Sequence, residues 1–172
     1  MTDVVGSAWP ATELDPVRRL KVIAATARHP VVAERRLAAP LSEVWRVASD
    51  LEGELPGIVT GLRSFTPAAR DGSAAGDDPA AERFSAVAVS AVRHRERFEV
   101  MLRPGYCLMQ SRMLLGGMAA VEDGAGTRFA MLWAFRFPGG GTLQGLPLFR
   151  SAARSEAMLD RLERRVAEVR AG

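Results

Sequence analysis

Residues 31–56, VVAERRLAAPLSEVWRVASDLEGELP, decide how the rest of the chain is read. From Val31 to Leu37 the side chains alternate. Val31, Ala33 and Leu37 fall on one side and Glu34 and Arg36 on the other, the period-two pattern of a half-buried strand. Pro40 brings no backbone donor to a ladder and ends the strand. Ser42 is then placed to cap a short helix through Val44, Trp45, Val47 and Ala48. Asp50 and Glu52 open a second helical turn that Pro56-Gly57 breaks, and Ile58 to Thr66 is again apolar and compatible with a strand.

Toward the C-terminus, residues 67–82 (PAARDGSAAGDDPAAE) have no periodicity and read as a flexible loop. Strands are then expected at Arg83–Val92, His94–Leu102, Tyr106–Met113, Gly116–Glu122 and Thr127–Phe137. The turn signals between them are Pro104-Gly105, Gly116-Gly117 and Asp123-Gly124 with Gly126. Short connections in sequence order make an antiparallel meander. In the last strand Phe129, Met131, Trp133, Phe135 and Phe137 alternate with Arg128, Ala130, Leu132, Ala134 and Arg136, so an aromatic face must be covered.

The stretch from Leu148 to Arg170 supplies that cover. Leu148, Ala152, Ser155, Leu159, Leu162, Val166 and Val169 recur at intervals of three and four, with Arg154, Arg161, Glu163, Arg164, Arg165 and Glu168 opposite. The first turns of this long amphipathic helix present only Ala152 and Ser155, where later turns present leucine and valine. Laid on a concave sheet, a helix with small residues at one end leaves space there for a ligand.

Toward the N-terminus, Glu13 to Arg28 fits a short amphipathic helix entered at Asp15-Pro16 and closed by His29-Pro30. Its Arg18, Arg19, Lys21 and Arg28 suit weak contact with a partner or a membrane surface. Its modest apolar face suits a lid or packing helix better.

Composition narrows the function classes. A chain of 172 residues is long enough to bury a core without disulfide or metal. The lone Cys107 and the separated His29 and His94 do not make a zinc site. No apolar run could span a bilayer, and the start, MTDVVGSAWPATELD, does not read as a secretory leader, so a cytoplasmic location is expected. The pI near 9.9 accompanies a net charge of only +3, because every cationic residue but Lys21 is arginine. Basic and acidic residues are interleaved along the last helix, which speaks against a nucleic-acid surface. The triple glycine at 139–141 lacks the spacing of a phosphate cradle, so no cofactor is expected.

The order of strand, two short helices, antiparallel meander and long C-terminal helix resembles the START and polyketide cyclase superfamily, also called SRPBCC, helix-grip or pollen-allergen-like. The residues that carry the resemblance are Ala39-Pro40 to Trp45 with Asp50, Leu51 and Pro56 behind them, then Gly126-Thr127-Arg128, and then the final helix. It implies an α+β fold with a curved antiparallel sheet over residues 31–172, preceded by an extension at 1–30. It also implies a cavity for a hydrophobic or aromatic molecule, lipid-like or polyketide-like. Members range from carriers to aromatase/cyclases, so a carrier or sensor and a cyclase/dehydrase-like enzyme both follow as readings.

Within that frame, strand parity puts His94 and Glu96 on the side of Phe98, Val100 and Leu102. A carboxylate beside an imidazole in an apolar cleft suits proton transfer. The plain alternative is a solvated strand end with Arg93, Arg95 and Arg97. Tyr106, Gln110 and Arg112 share one parity, and Cys107, Met109, Ser111 and Met113 the other. If the first set faces inward, Tyr106 and Arg112 would hold a ligand oxygen, with Glu96 as partner to Arg112. If the second does, Arg112 is a surface residue. Phe98, Val100, Met131, Trp133, Phe135, Ala152, Ser155 and Leu159 are the expected ligand-facing residues, each of which would serve equally as ordinary core.

Overall fold

The computed structural model describes residues 14–68, 80–136 and 151–172, with side chains of the last segment from Ala153 onward. The expectations for most of the 67–82 loop, and for Phe137, the triple glycine and Leu148, lie outside the described residues, as does the side chain of Ala152. The elements are α1 (Pro16–Thr26), β1 (Val31–Leu37), α2 (Leu41–Ala48), α3 (Leu55–Ile58), β2 (Leu62–Pro67), β3 (Glu82–Ser90) and β4 (Arg95–Arg103). They continue with β5 (Tyr106–Gln110), β6 (Leu114–Asp123), β7 (Gly126–Phe135) and α4 (Ser151–Ala171). The fold is α+β, with a long C-terminal helix gripped by a curled antiparallel sheet. No helix among the described residues is long and apolar enough to cross a membrane.

Local chemistry explains most element ends and corrects three expectations. The Asp15 carboxylate accepts from the Arg18 backbone N–H at 2.9 Å, and Pro16 occupies the first turn of α1, as its sequence signals. Ser42, by contrast, lies inside α2; the helix begins after Pro40 and has no side-chain cap. Pro56-Gly57 does not break α3 but belongs to it, because proline at the first turn forfeits only an N–H that would go unpaired anyway. Gly116-Gly117 marks no turn either. Both lie within β6, and the chain turns earlier, at Ser111–Met113.

The seven strands run in the order β1-β7-β6-β5-β4-β3-β2, every pair antiparallel, so β1 crosses the molecule to pair with the last strand. Thr127 lies opposite Leu37 in that pairing, and its hydroxyl donates to the Ala39 carbonyl at 2.7 Å. A Cβ at Gly126 would collide with the Leu37 carbonyl oxygen. The Gly126-Thr127 pair therefore seats the Ala-Ala-Pro exit of β1 and aims α2 across the sheet.

One face of the sheet closes around α2, α3 and α4. Side chains from β1 (Leu37), β2 (Phe65), β3 (Phe84), β4 (Phe98, Val100), β5 (Met109), β6 (Met118) and β7 (Phe129, Met131) form one cluster with Leu159, Leu162 and Val166 of α4. Since both sheet edges reach the same cluster, this is the inside of the curl. The opposite face is covered by α1, whose Val17, Leu20 and Ala24 pack with Tyr106, Ala119, Ala130 and Leu132. A Cβ on Gly117 would meet the Leu20 side chain at 2.6 Å, so the glycine is the seat of that leucine. The apolar stripe of α1 is thus occupied by the sheet.

Polar contacts fasten α4. Arg35 on β1 holds Glu156 at 2.5 Å, Asp160 at 2.6 Å and Glu163 at 3.2 Å. Arg165 pairs with Glu54 at 2.7 Å, and Arg161 donates to the Thr60 hydroxyl at 2.5 Å. The helix is held along one side by β1 and along the other by the residues flanking α3.

Candidate ligand-binding site

The inside of the curl is filled unevenly. Toward the C-terminal end of α4 it holds Leu37, Val44, Val47, Phe129, Leu162 and Val166, none more than 4% exposed. Toward the start of α4 the inward positions become small, with Ala86 and Ala88 on β3 and Gly116 on β6. Of the large inward residues there, Phe65, Phe98 and Met109 are buried, whereas Trp133 and Phe135 are only partly buried. They meet edge to face with ring centroids 5.7 Å apart. The Trp133 indole N–H donates to the buried Ser155 hydroxyl across the sheet–helix gap at 3.4 Å.

Glu96 brings the charge to this end. It shares the inward parity of Phe98 and Val100, and its side chain is 13% exposed. Its Oε1 accepts from the Ser111 hydroxyl at 2.5 Å and from the Met113 backbone N–H at 3.1 Å. Oε2 lies 3.9 Å from Nε2 of the exposed His94. The Arg136 guanidinium donates to the Ser111 carbonyl at 2.9 Å and closes the other side of the turn. One carboxylate oxygen therefore holds the 111–113 turn, while the other faces a solvated imidazole.

The structure separates the remaining expected polar residues from this group. The inward set on β5 is Cys107 and Met109, with Ser111 following. Tyr106 points to the other face, buried under α1 with the Arg19 guanidinium 5.9 Å from its ring centroid. Burial pushes the Tyr106 phenol up from its usual pKa, against the pull of Arg19 and Arg103. Arg112 is exposed in the turn and does not meet Glu96, so neither residue joins the constellation the sequence offered. Cys107 is fully buried, and desolvation pushes its thiol up to about 12, which leaves it without nucleophilic character at neutral pH.

Of the expected apolar lining, Phe98, Val100, Met131 and Leu159 are in the inner cluster, and Ser155 and Trp133 bridge its open end. Phe65, Ser111, Leu114 and Gly116 also face this space and went unremarked as a lining. For Ser111 the signal was present in its shared parity with Cys107 and Met109; Phe65 lies on a strand whose inward side a short apolar run does not reveal. A separate hollow of about 210 Å³ lies on the outer face between Asp15, Arg19, Arg103 and Tyr106, away from all of these.

The chain matches no family model and no curated protein. It is similar in structure to TTHA0849 from Thermus thermophilus, at 26% identity and a TM-score of 0.56, over 81% of this chain and 98% of that one. It is also similar to the 18 kDa protein CC1736 from Caulobacter crescentus, at 15% identity and a TM-score of 0.64, over 84% and 100%. The KanY protein aligns at 14% identity and a TM-score of 0.59, over 83% and 99%. Nearly the whole of each of these small proteins is covered, and their common architecture is consistent with a helix-grip fold.

Proposed function

We propose that the protein binds a small hydrophobic or aromatic molecule, lipid-like or polyketide-like, inside the curl beside the first turns of α4, as a carrier or sensor. The observation that carries this reading is the change in filling along the inner face. The bulky core gives way to Ala86, Ala88 and Gly116 at the end of the curl where the Trp133 and Phe135 rings remain partly uncovered. The rings would supply apolar contact area, and Ser155 and Glu96 would orient a polar end. Resemblance to the START and polyketide cyclase superfamily favours the same class of ligand.

Gly116→Leu tests the space directly. A Cβ at Gly116 meets nothing closer than the Met109 methyl at 3.6 Å, an ordinary van der Waals contact, so the backbone there tolerates a side chain. The variant is expected to keep its stability within about 1 kcal/mol and to lose uptake of hydrophobic fluorophores and of co-purifying ligand seen by native mass spectrometry. Unchanged uptake, or destabilisation like that of an overpacked core, would remove the site.

The second reading, a cyclase/dehydrase-like enzyme, is favoured by Glu96, a carboxylate at the rim of an apolar space with His94 within reach. In it Glu96 removes a proton from an activated methylene during ring closure, and His94 relays it to water. Glu96→Gln keeps an oxygen for the 111–113 turn and cannot act as a base. Loss of cyclised product from a poly-β-ketone thioester with ligand uptake intact would support catalysis; uptake without any turnover in the parent protein leaves the carrier reading alone.

A further inference from the structure

We propose that the end of the molecule bearing the β3–β4 hairpin tip docks onto an anionic lipid bilayer. Strand register gathers five chain segments there. Val31 lies opposite Trp133, Leu114 opposite Phe135, Gln110 opposite Leu115, and Leu62 opposite Ser90. The connections at this end are therefore residues 27–30, 59–61, 91–94 and 111–113, together with Arg136. They contain Arg28, His29, Arg93, His94, Arg112 and Arg136, and no acidic residue. Arg95, the first residue of β4, and Arg63, the second of β2, add to the same sign. The nearest carboxylate, Glu96, is turned inward onto Ser111. At the opposite end of the sheet Glu82, Glu122 and Asp123 balance Arg36, Arg83 and Arg103, so the positive surplus is polarised toward one end.

The hairpin tip also protrudes. Pairing of β4 with β5 begins only at Glu99 and Gln110, so residues 95–98 run past the end of β5. At the summit Val92 is 85% exposed, the most exposed large apolar side chain among the described residues, and Met113 on the neighbouring turn is 39% exposed. Arg28, Arg93, Arg95 and Arg112 at this end of the sheet are all exposed. Arg35, Arg36, Arg128 and Arg165, by contrast, are engaged by acids.

Separate apolar tips ringed by cations suit a lipid interface, where the tips enter the acyl boundary and the guanidinium groups meet phosphates. An acidic protein partner would want a continuous apolar patch or groove within the charges, and none lies here among the described residues. The surface borders the ligand site proposed above but does not rest on it, since its charges and tips are external.

Co-sedimentation of the full chain with phosphatidylcholine vesicles, with and without a third of phosphatidylglycerol, tests the proposal. Binding is expected only with the anionic lipid, and it should weaken as salt is raised. Arg95→Gln and Arg112→Gln are each expected to lower the partition coefficient about fivefold. Val92→Ser should lower it further, and Arg83→Glu, exposed at the far end, should leave it unchanged. Absence of binding, equal binding to neutral vesicles, or equal loss in Arg83→Glu would overturn the assignment. Retention that Val92→Ser does not diminish would overturn it in favour of a purely electrostatic surface for an acidic macromolecule. Unaltered thermal melts of the variants, which all change exposed positions, separate lost docking from lost folding.

Discussion

At the scale of single residues, alternation showed which side chains share a face but not which face is inside. On β5 both sets contain apolar members, so Tyr106 and Cys107 were equally eligible for the interior, and only the packing of α1 over Tyr106 decides between them. The choice has a pH signature. Cys107 ionises at about 12 in the folded chain against an ordinary value of 9.0, so the folded state keeps a proton that the unfolded state releases. Its contribution is constant below pH 9. Stability then falls by as much as about 1.4 kcal/mol per pH unit above that point. Urea unfolding from pH 8 to pH 10.5 should show this slope, and Cys107→Ala should flatten the part that begins near pH 9. Glu96 gives the second residue-level expectation. Glu96→Ala removes the charged acceptor of the Met113 N–H and the Ser111 hydroxyl, leaving them the longer bonds to Ser111 Oγ at 3.2 Å and the Leu114 carbonyl at 3.3 Å, and should cost about 1–3 kcal/mol. Glu96→Gln, which keeps an acceptor oxygen, should cost less than half as much in the same unfolding measurement. Equal costs would mean that the negative charge, and not the acceptor, holds the turn.

At the scale of elements, the long helix and the last strand were legible because each has a single dominant period and a clear difference between faces. Apart from the cap expected of Ser42, the errors fell on proline and glycine. Both residues punctuate turns, yet Pro56 starts α3 and the Gly116-Gly117 pair sits in mid-strand. The cause is tertiary: Gly117 makes room for Leu20 of a helix that is distant in sequence, which no local pattern reports. Gly117→Ala sets a Cβ 2.6 Å from that leucine and 3.3 Å from the Cys107 carbonyl oxygen, and should destabilise by about 1–3 kcal/mol. Shortening the intruder as well, in Gly117→Ala with Leu20→Val, should recover part of that loss. A double variant no better than the sum of the two singles would show that α1 does not seat on this glycine.

At the scale of the whole molecule, the order of elements, their antiparallel connection and the covering helix were readable from the chain, whereas the uneven filling of the curl emerges only when side chains from all seven strands meet. That unevenness makes a measurable claim. Leu162, 1% exposed at the filled end, touches core on every side, so Leu162→Ala should leave a cavity and cost about 2–5 kcal/mol. Trp133 is far larger, and a fully packed tryptophan would cost about 3–5 kcal/mol on truncation. Here one ring edge rests on Phe135 and the indole N–H reaches Ser155, while the rest borders the open end. Trp133→Ala should therefore cost less than Leu162→Ala despite the greater volume removed, with equal denaturant slopes in both variants. A hydrophobic ligand bound at this end should stabilise the parent protein and the Leu162 variant alike and the Trp133 variant much less. If truncating Trp133 proves the costlier change, the interior is one continuous core and the inner face has no room for a guest.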